Sequence, residues 1–417
     1  MPSQPQSNAM AYADNSHSPS PSQVFRPSAL PAHLPDFPYT PHYAHFGSVR
    51  YAYIDERPGV IWDLQTGSRR QALTNGEELG VETIVCLHGE PSWSYLYRKM
   101  IPKFLDEPPA PRLVAPGEPR FVRRRLVAPD FIGFGRSDKP TEDSFYTWET
   151  HRAWLVSFIR NHVEFELAGC HMHARTTLVV QDWGGLLGLI LPHLYPHLFT
   201  NLIVMNTGLG TGKSPSKGWN AFRDYMANTP NVEVGKLMQR GTPLSNEEAK
   251  NYDLPFEGEG GGQRAKAGVR RFPQLVPILP TQAGVAESAA AKAYYASLTP
   301  LIHNASSSSA IAKRALSVFV CIGASDPVLG EPVMDALNAA TWGKRRGYWR
   351  HVIPDAGHFV QEWAVHIPQL ADTAFAAEQV ELSKMEAEVG RQKTVEDSQG
   401  HKAEWKTPTE ASTGSKL

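Results

Sequence analysis

The chain has 417 residues, of which 41% are hydrophobic and 20% charged, and its formal net charge at pH 7 is -1. This is the composition of an ordinary globular protein, and it offers no excess of positive charge with which to bind nucleic acid or an acidic membrane. Because the net charge is close to zero, small neutral ligands are the expected partners. No run of residues approaches the roughly 20 apolar positions that cross a bilayer.

Residues 1–35 are predicted to be a disordered N-terminal tail. The first part is rich in Ser, Pro and Gln, and it lacks the basic start and apolar core of a secretory signal. The cysteines Cys86, Cys170 and Cys321 have neither the spacing of a metal site nor the even number of a disulfide framework. The sequence therefore predicts a soluble protein that is not secreted, holds no metal and works in a reducing compartment.

Apolar runs alternate with helical patterns through the middle of the chain. The runs that turn residues bound are predicted to be buried strands: Thr83 to Leu87, Arg125 to Pro129, Thr177 to Gln181, Leu202 to Met205 and Val318 to Ile322. Helices are predicted over Thr147 to Val163 and Leu186 to Tyr195. This alternation predicts an α/β fold with a mostly parallel sheet, covered by helices on both faces, whose functional groups lie at the carboxyl ends of the strands.

Two stretches interrupt the alternation. Asp106 to Phe121 is rich in Pro, and we interpret it as a surface insertion without chemistry. Between residues 207 and 308 the strands give way to amphipathic pieces with Trp, Phe and Tyr, which predicts a helical lid. The core therefore has two parts, residues 36–206 and 309–380.

Residues 381–417 are charged and lose apolar periodicity, which predicts a largely disordered C-terminal tail. The chain ends in Ser415-Lys416-Leu417, the tripeptide that peroxisomal import receptors read at a free C-terminus. A chance match is the alternative. The sequence thus predicts an import receptor as a partner and a peroxisomal location, with the cytoplasm as the other possibility.

The segment Val180 to Gly185 joins an apolar strand to a helix, and Asp182 stands where esterases place a serine nucleophile. The glycines after it let helix and strand approach closely, and the N-terminus of the helix stabilises an ionised carboxylate. Asp182 is therefore the predicted nucleophile, which would form an alkyl ester. A helix-capping Asp is the structural alternative.

The segment Leu87 to Pro91 ends a strand. In proteins with a nucleophile on such a strand-to-helix turn, one backbone amide of the oxyanion hole normally comes from this place. The backbone N–H groups of Glu90 and Trp183 are the predicted pair. His88 lies at a strand end before a glycine, where a histidine more often orders the loop than takes part in catalysis.

His358, near the end of the predicted core, is the predicted base. A catalytic histidine needs a carboxylate to hold its tautomer, and Asp326 closes a strand at a suitable place. Asp355 competes for this role, but it is close in sequence to His358 and is interpreted as a loop-ordering residue. Asn206 carries no charge and cannot replace Asp326. Because Asp182 needs no deprotonation, His358 would serve only to activate water.

With these motifs the chain closely resembles the haloalkane dehalogenases of the α/β-hydrolase superfamily. The similar stretches are Phe37 to Asp55, His88 to Met100, Ala128 to Pro140, Leu178 to Gly185, Ala267 to Pro273 and Asp355 to Glu362. The resemblance implies the α/β-hydrolase fold with an inserted helical lid. It also implies hydrolysis of carbon-halogen bonds in small apolar organic substrates, with water as the second reactant and without cofactor or metal.

In that family two ring N–H donors hold the departing halide, and the resemblance assigns one of them to Trp183, whose indole donates and cannot accept. The second donor is a lid Trp, and here the sequence departs from the family. Phe222 aligns with that position, while Trp219 stands three residues earlier on about the same helix face. Trp219 either substitutes for the missing donor or belongs to the lid core.

Epoxide hydrolases are the main alternative, because they share the Asp nucleophile, the histidine and the lid. They protonate the ring oxygen with lid tyrosines, for which Tyr225 and Tyr252 are candidates. The strings His88 to Pro91 and Gln181 to Gly185 favour the dehalogenase. A non-catalytic small-molecule-binding protein on the same scaffold is the other alternative, and the complete set of nucleophile, acid and base argues against it.

Overall fold

The computed structural model describes residues 20–28, 30–31, 33–114, 118–165, 173–214, 216–298, 316–342, 347–384 and 394–406. Its strands are β1 (Val24–Phe25), β2 (His42–Phe46), β3 (Val49–Glu56), β4 (Ile61–Asp63), β5 (Ser68–Arg70), β6 (Leu79–Leu87), β7 (Phe121–Pro129), β8 (Lys139–Pro140), β9 (His173–Gln181), β10 (Asn201–Met205), β11 (Ser317–Gly323), β12 (Tyr348–Ile353), β13 (Thr394–Glu396) and β14 (Lys402–Lys406). Its α-helices are α1 (Ile101–Leu105), α2 (Trp148–Ile159), α3 (Trp183–Gly188), α4 (Leu191–Leu194), α5 (Lys217–Asn228), α6 (Val234–Gln239), α7 (Asn246–Asp253), α8 (Ala267–Leu275), α9 (Val285–Ser297), α10 (Glu331–Trp342) and α11 (Ile367–Lys384).

A 12-stranded sheet forms the centre of the molecule, with the main order β13-β14-β12-β11-β10-β9-β6-β7-β3-β2. Neighbouring strands from β12 through β7 run parallel, and the antiparallel strands are confined to the two edges. The predicted α/β fold with a mostly parallel sheet is confirmed. Helices α5 to α9 follow β10 along the chain, within the span predicted to be the lid.

The central strands β6, β7 and β9 begin four residues earlier in the chain than predicted, because the added segments contain charged residues such as Glu82 and Arg124. These charges are buried in pairs: Arg124 lies 3.3 Å from Glu82, and Arg125 of β7 lies 2.7 Å from Asp55 of β3. Paired charges can occupy a buried strand whose composition alone does not indicate burial.

The helix predicted over Leu186 to Tyr195 is instead two short helices, α3 and α4, and α3 begins earlier at Trp183. Pro192 in the first turn of α4 has no N–H to donate, so a continuous helix through it would lose a hydrogen bond. The interpretation of Asp106 to Phe121 as a mere surface insertion is also wrong for Arg112. This side chain is buried and lies 3.1 Å from Glu82.

The predicted disorder of residues 1–35 is wrong for the described part of that segment. Strand β1 pairs antiparallel with β8, and Phe25 is buried. Arg26 forms an ion pair with Asp138 at 2.8 Å, which fixes the segment beside the core.

The predicted disorder of residues 381–417 is likewise wrong for residues 394–406. Strands β13 and β14 form a hairpin that extends the sheet beyond β12. The hairpin buries Val395, Ala403 and Trp405, and the ring of Trp405 packs edge-to-face on Trp349 at 5.1 Å. The terminal Ser415-Lys416-Leu417 lies outside the described residues.

Cys86 and Cys321 are buried free thiols, and Cys170 lies outside the described residues. Among the helices that the structure describes, none is both long and apolar enough to cross a membrane.

Trp405→Ala should lower the free energy of unfolding by about 3 kcal/mol, because it leaves a cavity between the hairpin and the sheet. Chemical denaturation of full-length protein measures this. The control is Lys402→Ala, which removes an exposed side chain of the same strand and should change stability by less than about 0.5 kcal/mol. Equal effects of both substitutions would mean that the hairpin does not stabilise the fold.

Candidate active site

Asp182 occupies a sharp turn between β9 and α3, with φ 50° and ψ -122°. Residues other than glycine rarely adopt this backbone conformation, so the surrounding packing must hold Asp182 in it. A Cβ on Gly184 would lie 2.1 Å from the carbonyl oxygen of Leu87, so only glycine lets the helix approach the strand. The Thr207 hydroxyl donates to the Asp182 carbonyl at 2.6 Å. The turn therefore holds the Asp182 carboxylate at the carboxyl end of the sheet.

Asp182, Asp326 and His358, which the sequence predicts to act together, lie in contact. Asp326 follows β11 and His358 follows β12. Nδ1 of His358 donates to Oδ2 of Asp326 at 2.6 Å, while Nε2 lies 3.4 Å from Oδ2 of Asp182. The imidazole thus bridges two carboxylates.

The two carboxylates control the charge of the imidazole. Burial alone lowers the pKa of His358, but the charge of Asp326 and hydrogen bonds to both carboxylates outweigh it and raise that pKa to about 10. Burial likewise raises the pKa of Asp326, whereas His358 and a hydrogen bond from Asn206 lower it to about 2. Both contacts therefore favour the protonated form of the imidazole in the free protein.

Asn206, which sequence reasoning set aside as uncharged, positions the acid. Its side-chain amide donates to Oδ2 of Asp326 at 2.9 Å and accepts from the N–H of Gly323 at 2.8 Å. Its place at the carboxyl end of β10 could have indicated this role, since β10 lies between β9 and β11.

Asp355 does not compete for the acid position. Its side chain is exposed and makes no hydrogen bond within the described residues, so its predicted loop-ordering role has no contact behind it. His88 does order its loop, because Nδ1 donates to the carbonyl of Gly89 and Nε2 accepts from the N–H of Phe131, both at 2.9 Å.

The backbone N–H of Glu90 donates to Oδ1 of Asp182 at 2.8 Å, which is the geometry expected of an oxyanion-hole donor. Trp183 is buried directly after Asp182, and its ring packs on Phe272 with the centroids 4.7 Å apart. The structure therefore brings both predicted oxyanion-hole residues next to the carboxylate.

A cavity of about 530 Å³ lies over these groups and is lined mainly by apolar side chains. The lid contributes Trp219, Phe222 and Tyr225 to its wall. Tyr252, the second tyrosine considered for epoxide opening, is not in the wall. It is fully buried, and its hydroxyl donates to Glu362 at 2.6 Å. Of the two candidates for the alternative epoxide-hydrolase function, Tyr252 is therefore not placed to act on a substrate in the cavity.

The described residues contain no group of three or more His, Cys, Asp or Glu side chains placed to hold a metal ion. The chemistry available in the cavity is that of a carboxylate nucleophile beside an imidazole whose other nitrogen is held by a second carboxylate.

Comparison with known proteins finds several haloalkane dehalogenases among the relatives of the chain. Residues 82–365 match the family described as alpha/beta hydrolase fold. The haloalkane dehalogenase of Mycobacterium marinum is 33% identical over 353 residues, which cover 81% of this chain and 94% of that protein. The haloalkane dehalogenase of Psychrobacter cryohalolentis is 32% identical over 346 residues, which cover 81% and 92%. The solved structure of haloalkane dehalogenase DpaA from Paraglaciecola agarilytica is similar with a TM-score of 0.61 at 32% identity, over 83% of this chain and 96% of that one.

Asp326→Asn should lower the pKa of His358 from about 10 by about 1 to 3, since it removes the nearer of the two negative charges. Titration of the imidazole resonances by NMR measures the change. Asp355→Asn is the matched control, because it removes an exposed acid from the same loop and should leave the titration unchanged. A shift in the control variant alone would assign the acid role to Asp355.

Proposed function

The chain belongs to the haloalkane dehalogenase family of the α/β-hydrolase superfamily, and from this premise we propose that Asp182, His358 and Asp326 catalyse its hydrolytic reaction. It is a haloalkane dehalogenase-like hydrolase. The observation that carries the assignment of residues is the imidazole of His358, which lies 3.4 Å from the Asp182 carboxylate and 2.6 Å from that of Asp326.

In the first step Oδ2 of Asp182 attacks the carbon that bears the halogen. A carbon-oxygen bond forms, and the carbon-halogen bond breaks with its electron pair leaving on the halide. Oδ1 then becomes the ester carbonyl oxygen, on which charge develops when water attacks in the second step. The N–H of Glu90 already lies 2.8 Å from Oδ1, which supports its role in the oxyanion hole. The backbone N–H of Trp183 is the proposed second donor.

Ester formation itself makes His358 a base. The ester no longer carries the negative charge of Asp182, so the contribution of this carboxylate to the raised pKa of His358 disappears, while that of Asp326 stays. His358 releases its proton to solvent and, as a neutral base, takes one proton from a water molecule whose oxygen attacks the carbonyl carbon of the ester. That proton passes to the departing alkoxide, which leaves as an alcohol. The second proton of the water then passes from the new carboxyl group of Asp182 to His358, which restores the carboxylate and the protonated imidazole.

We propose that the indole of Trp183 holds the departing halide and that Trp219 supplies a second ring N–H. Trp219 and Phe222 both line the cavity from α5, which supports this arrangement. Phe222 has no N–H and contributes only apolar surface. The proposed substrate is a small apolar haloalkane, with water as the second reactant.

Peroxisomal import through Ser415-Lys416-Leu417 remains a proposal that rests on those three residues alone. We propose no second function. Of the two tyrosines that an epoxide hydrolase would need, only Tyr225 lines the cavity. A cavity of about 530 Å³ above an assembled nucleophile and base argues against a purely binding role.

His358→Gln should trap the ester, because bromide leaves without the histidine while the water of the second step is not activated. Intact-mass measurement after incubation with a bromoalkane should show the alkyl group added to the protein, with one bromide released per molecule. Asp182→Asn is the control and should give neither adduct nor bromide. Full turnover by His358→Gln would contradict the proposed role of the histidine.

A further inference from the structure

Arg98 and Glu362 form a buried ion pair that the reaction as described above does not use. Both side chains are almost completely withdrawn from solvent. The guanidinium meets the carboxylate through two hydrogen bonds, one from Nη1 to Oε1 and one from Nη2 to Oε2, the second at 2.9 Å. A double contact between two planar groups fixes their orientation as well as their distance.

The pair connects the two segments that reach the nucleophile from either side. Arg98 ends the segment that starts at Glu90 after β6, and Glu362 ends the turn that follows His358 after β12. In the sheet, β6 and β12 lie on opposite sides of β9, and Asp182 stands at the end of β9. The ion pair therefore ties the loop of the predicted base to the loop of the predicted oxyanion-hole amide.

Glu362 is the downstream anchor of the loop that carries His358. Its backbone N–H donates to the carbonyl of Phe359 at 3.0 Å and closes a single turn of 3₁₀-helix over Val360–Glu362. The carbonyl of His358 accepts a hydrogen bond from the side-chain amide of Gln181 at 3.2 Å. Because the turn between Glu362 and His358 is short and closed, the place of the Glu362 carboxylate determines where the histidine stands.

The surrounding groups satisfy both members of the pair. Lys99 lies 2.9 Å from Oε2 of Glu362, and the hydroxyl of Tyr252 donates to Oε1 at 2.6 Å. The guanidinium of Arg98 also donates to Glu248 of α7 at 2.7 Å. A buried polar network whose members are all paired is rigid and holds one arrangement of the chain.

We propose that the ion pair of Arg98 and Glu362 positions the imidazole of His358 for the second step of the reaction. Both are then positioning residues that act through the histidine, and this inference rests on the proposed function. The first step does not need the imidazole, because the carboxylate of Asp182 attacks without losing a proton. In the second step the imidazole must meet a water molecule beside the ester carbonyl, where a displacement of about 1 Å can cost about 10²-fold in rate.

The main test replaces both partners at once, as Arg98→Met with Glu362→Leu. Removal of one partner would leave a buried charge uncompensated and can unfold the protein, whereas apolar residues of similar volume in place of a buried pair usually preserve stability. Chemical denaturation checks that the double variant is folded. Rapid-quench measurement with a bromoalkane should show first-turnover bromide release at the natural rate and ester hydrolysis slowed about 10- to 100-fold, so that the alkyl adduct accumulates.

Glu248→Gln is the matched control, because it removes a carboxylate that binds the same guanidinium but belongs to the lid. Gln can still complete the capping box that Glu248 forms with Ser245. Both steps should keep their natural rates in this variant. Ester hydrolysis slowed to the same extent in Glu248→Gln would mean that the network acts through the lid and not through His358, and would overturn the assignment.

A second measurement needs no turnover. NMR titration of the His358 imidazole should give a pKa below about 10 in the double variant, because an imidazole that moves away from Asp326 and Asp182 loses part of the interactions that raise its pKa. Glu248→Gln should titrate like the natural protein.

Equal slowing of both steps, ester hydrolysis at the natural rate in the folded double variant, or an unchanged titration of His358 would overturn the assignment. If the natural protein releases no bromide from any bromoalkane, the proposed function fails instead. The NMR titration then still decides whether the pair of Arg98 and Glu362 positions the histidine.

Discussion

The imidazole of His358 between two carboxylates is the interaction on which the site depends. Each partner stands at the end of a different strand, and β9 and β11 flank β10 while β12 lies beside β11. Parallel strands bring their carboxyl ends to one edge, so residues far apart in sequence meet without a long loop. The charges of Asp326 and Asp182 favour the protonated form of this imidazole, and under the proposed function formation of the ester at Asp182 would remove one of them.

This arrangement requires a strained and crowded turn. Asp182 has a positive φ, and the segments before and after it approach so closely that Gly89 and Gly184 have no room for a Cβ. The hydroxyl of Thr207 and the N–H of Glu90 hold the carbonyl and the carboxylate of Asp182 in place. A strained backbone conformation is tolerated where neighbouring contacts determine it, as they do here.

The sequence was sufficient to predict the parallel sheet and the meeting of Asp182, Asp326 and His358, because each lies in a local motif at the end of an apolar strand. It was insufficient where the structure depends on pairs distant along the chain. The ion pair between Arg112 and Glu82 and the hydrogen bond from Asn206 to Asp326 have no local signature.

The hairpin of β13 and β14 was not predicted, for a different physical reason. In β14 only Ala403 and Trp405 are apolar, and its charged neighbours give the composition of a disordered tail. An antiparallel strand can face water on one side and needs only one buried face, so a short alternation of this kind is enough to pair with β12 and bury those two side chains.

Lid and core are joined by a buried charge network, and this constrains how selectivity can vary. Arg98 of the core binds Glu362, which lies four residues after His358, and also Glu248 in helix α7 of the lid. The hydroxyl of Tyr252, also in α7, donates to the same Glu362.

The part of the lid that contains α7 is therefore fixed to the loop that carries His358. Helix α5, in contrast, presents Trp219 and Phe222 to the cavity. Substitutions in α5 can change which substrates fit without moving His358, so a lost lid donor is compatible with an intact hydrolytic centre.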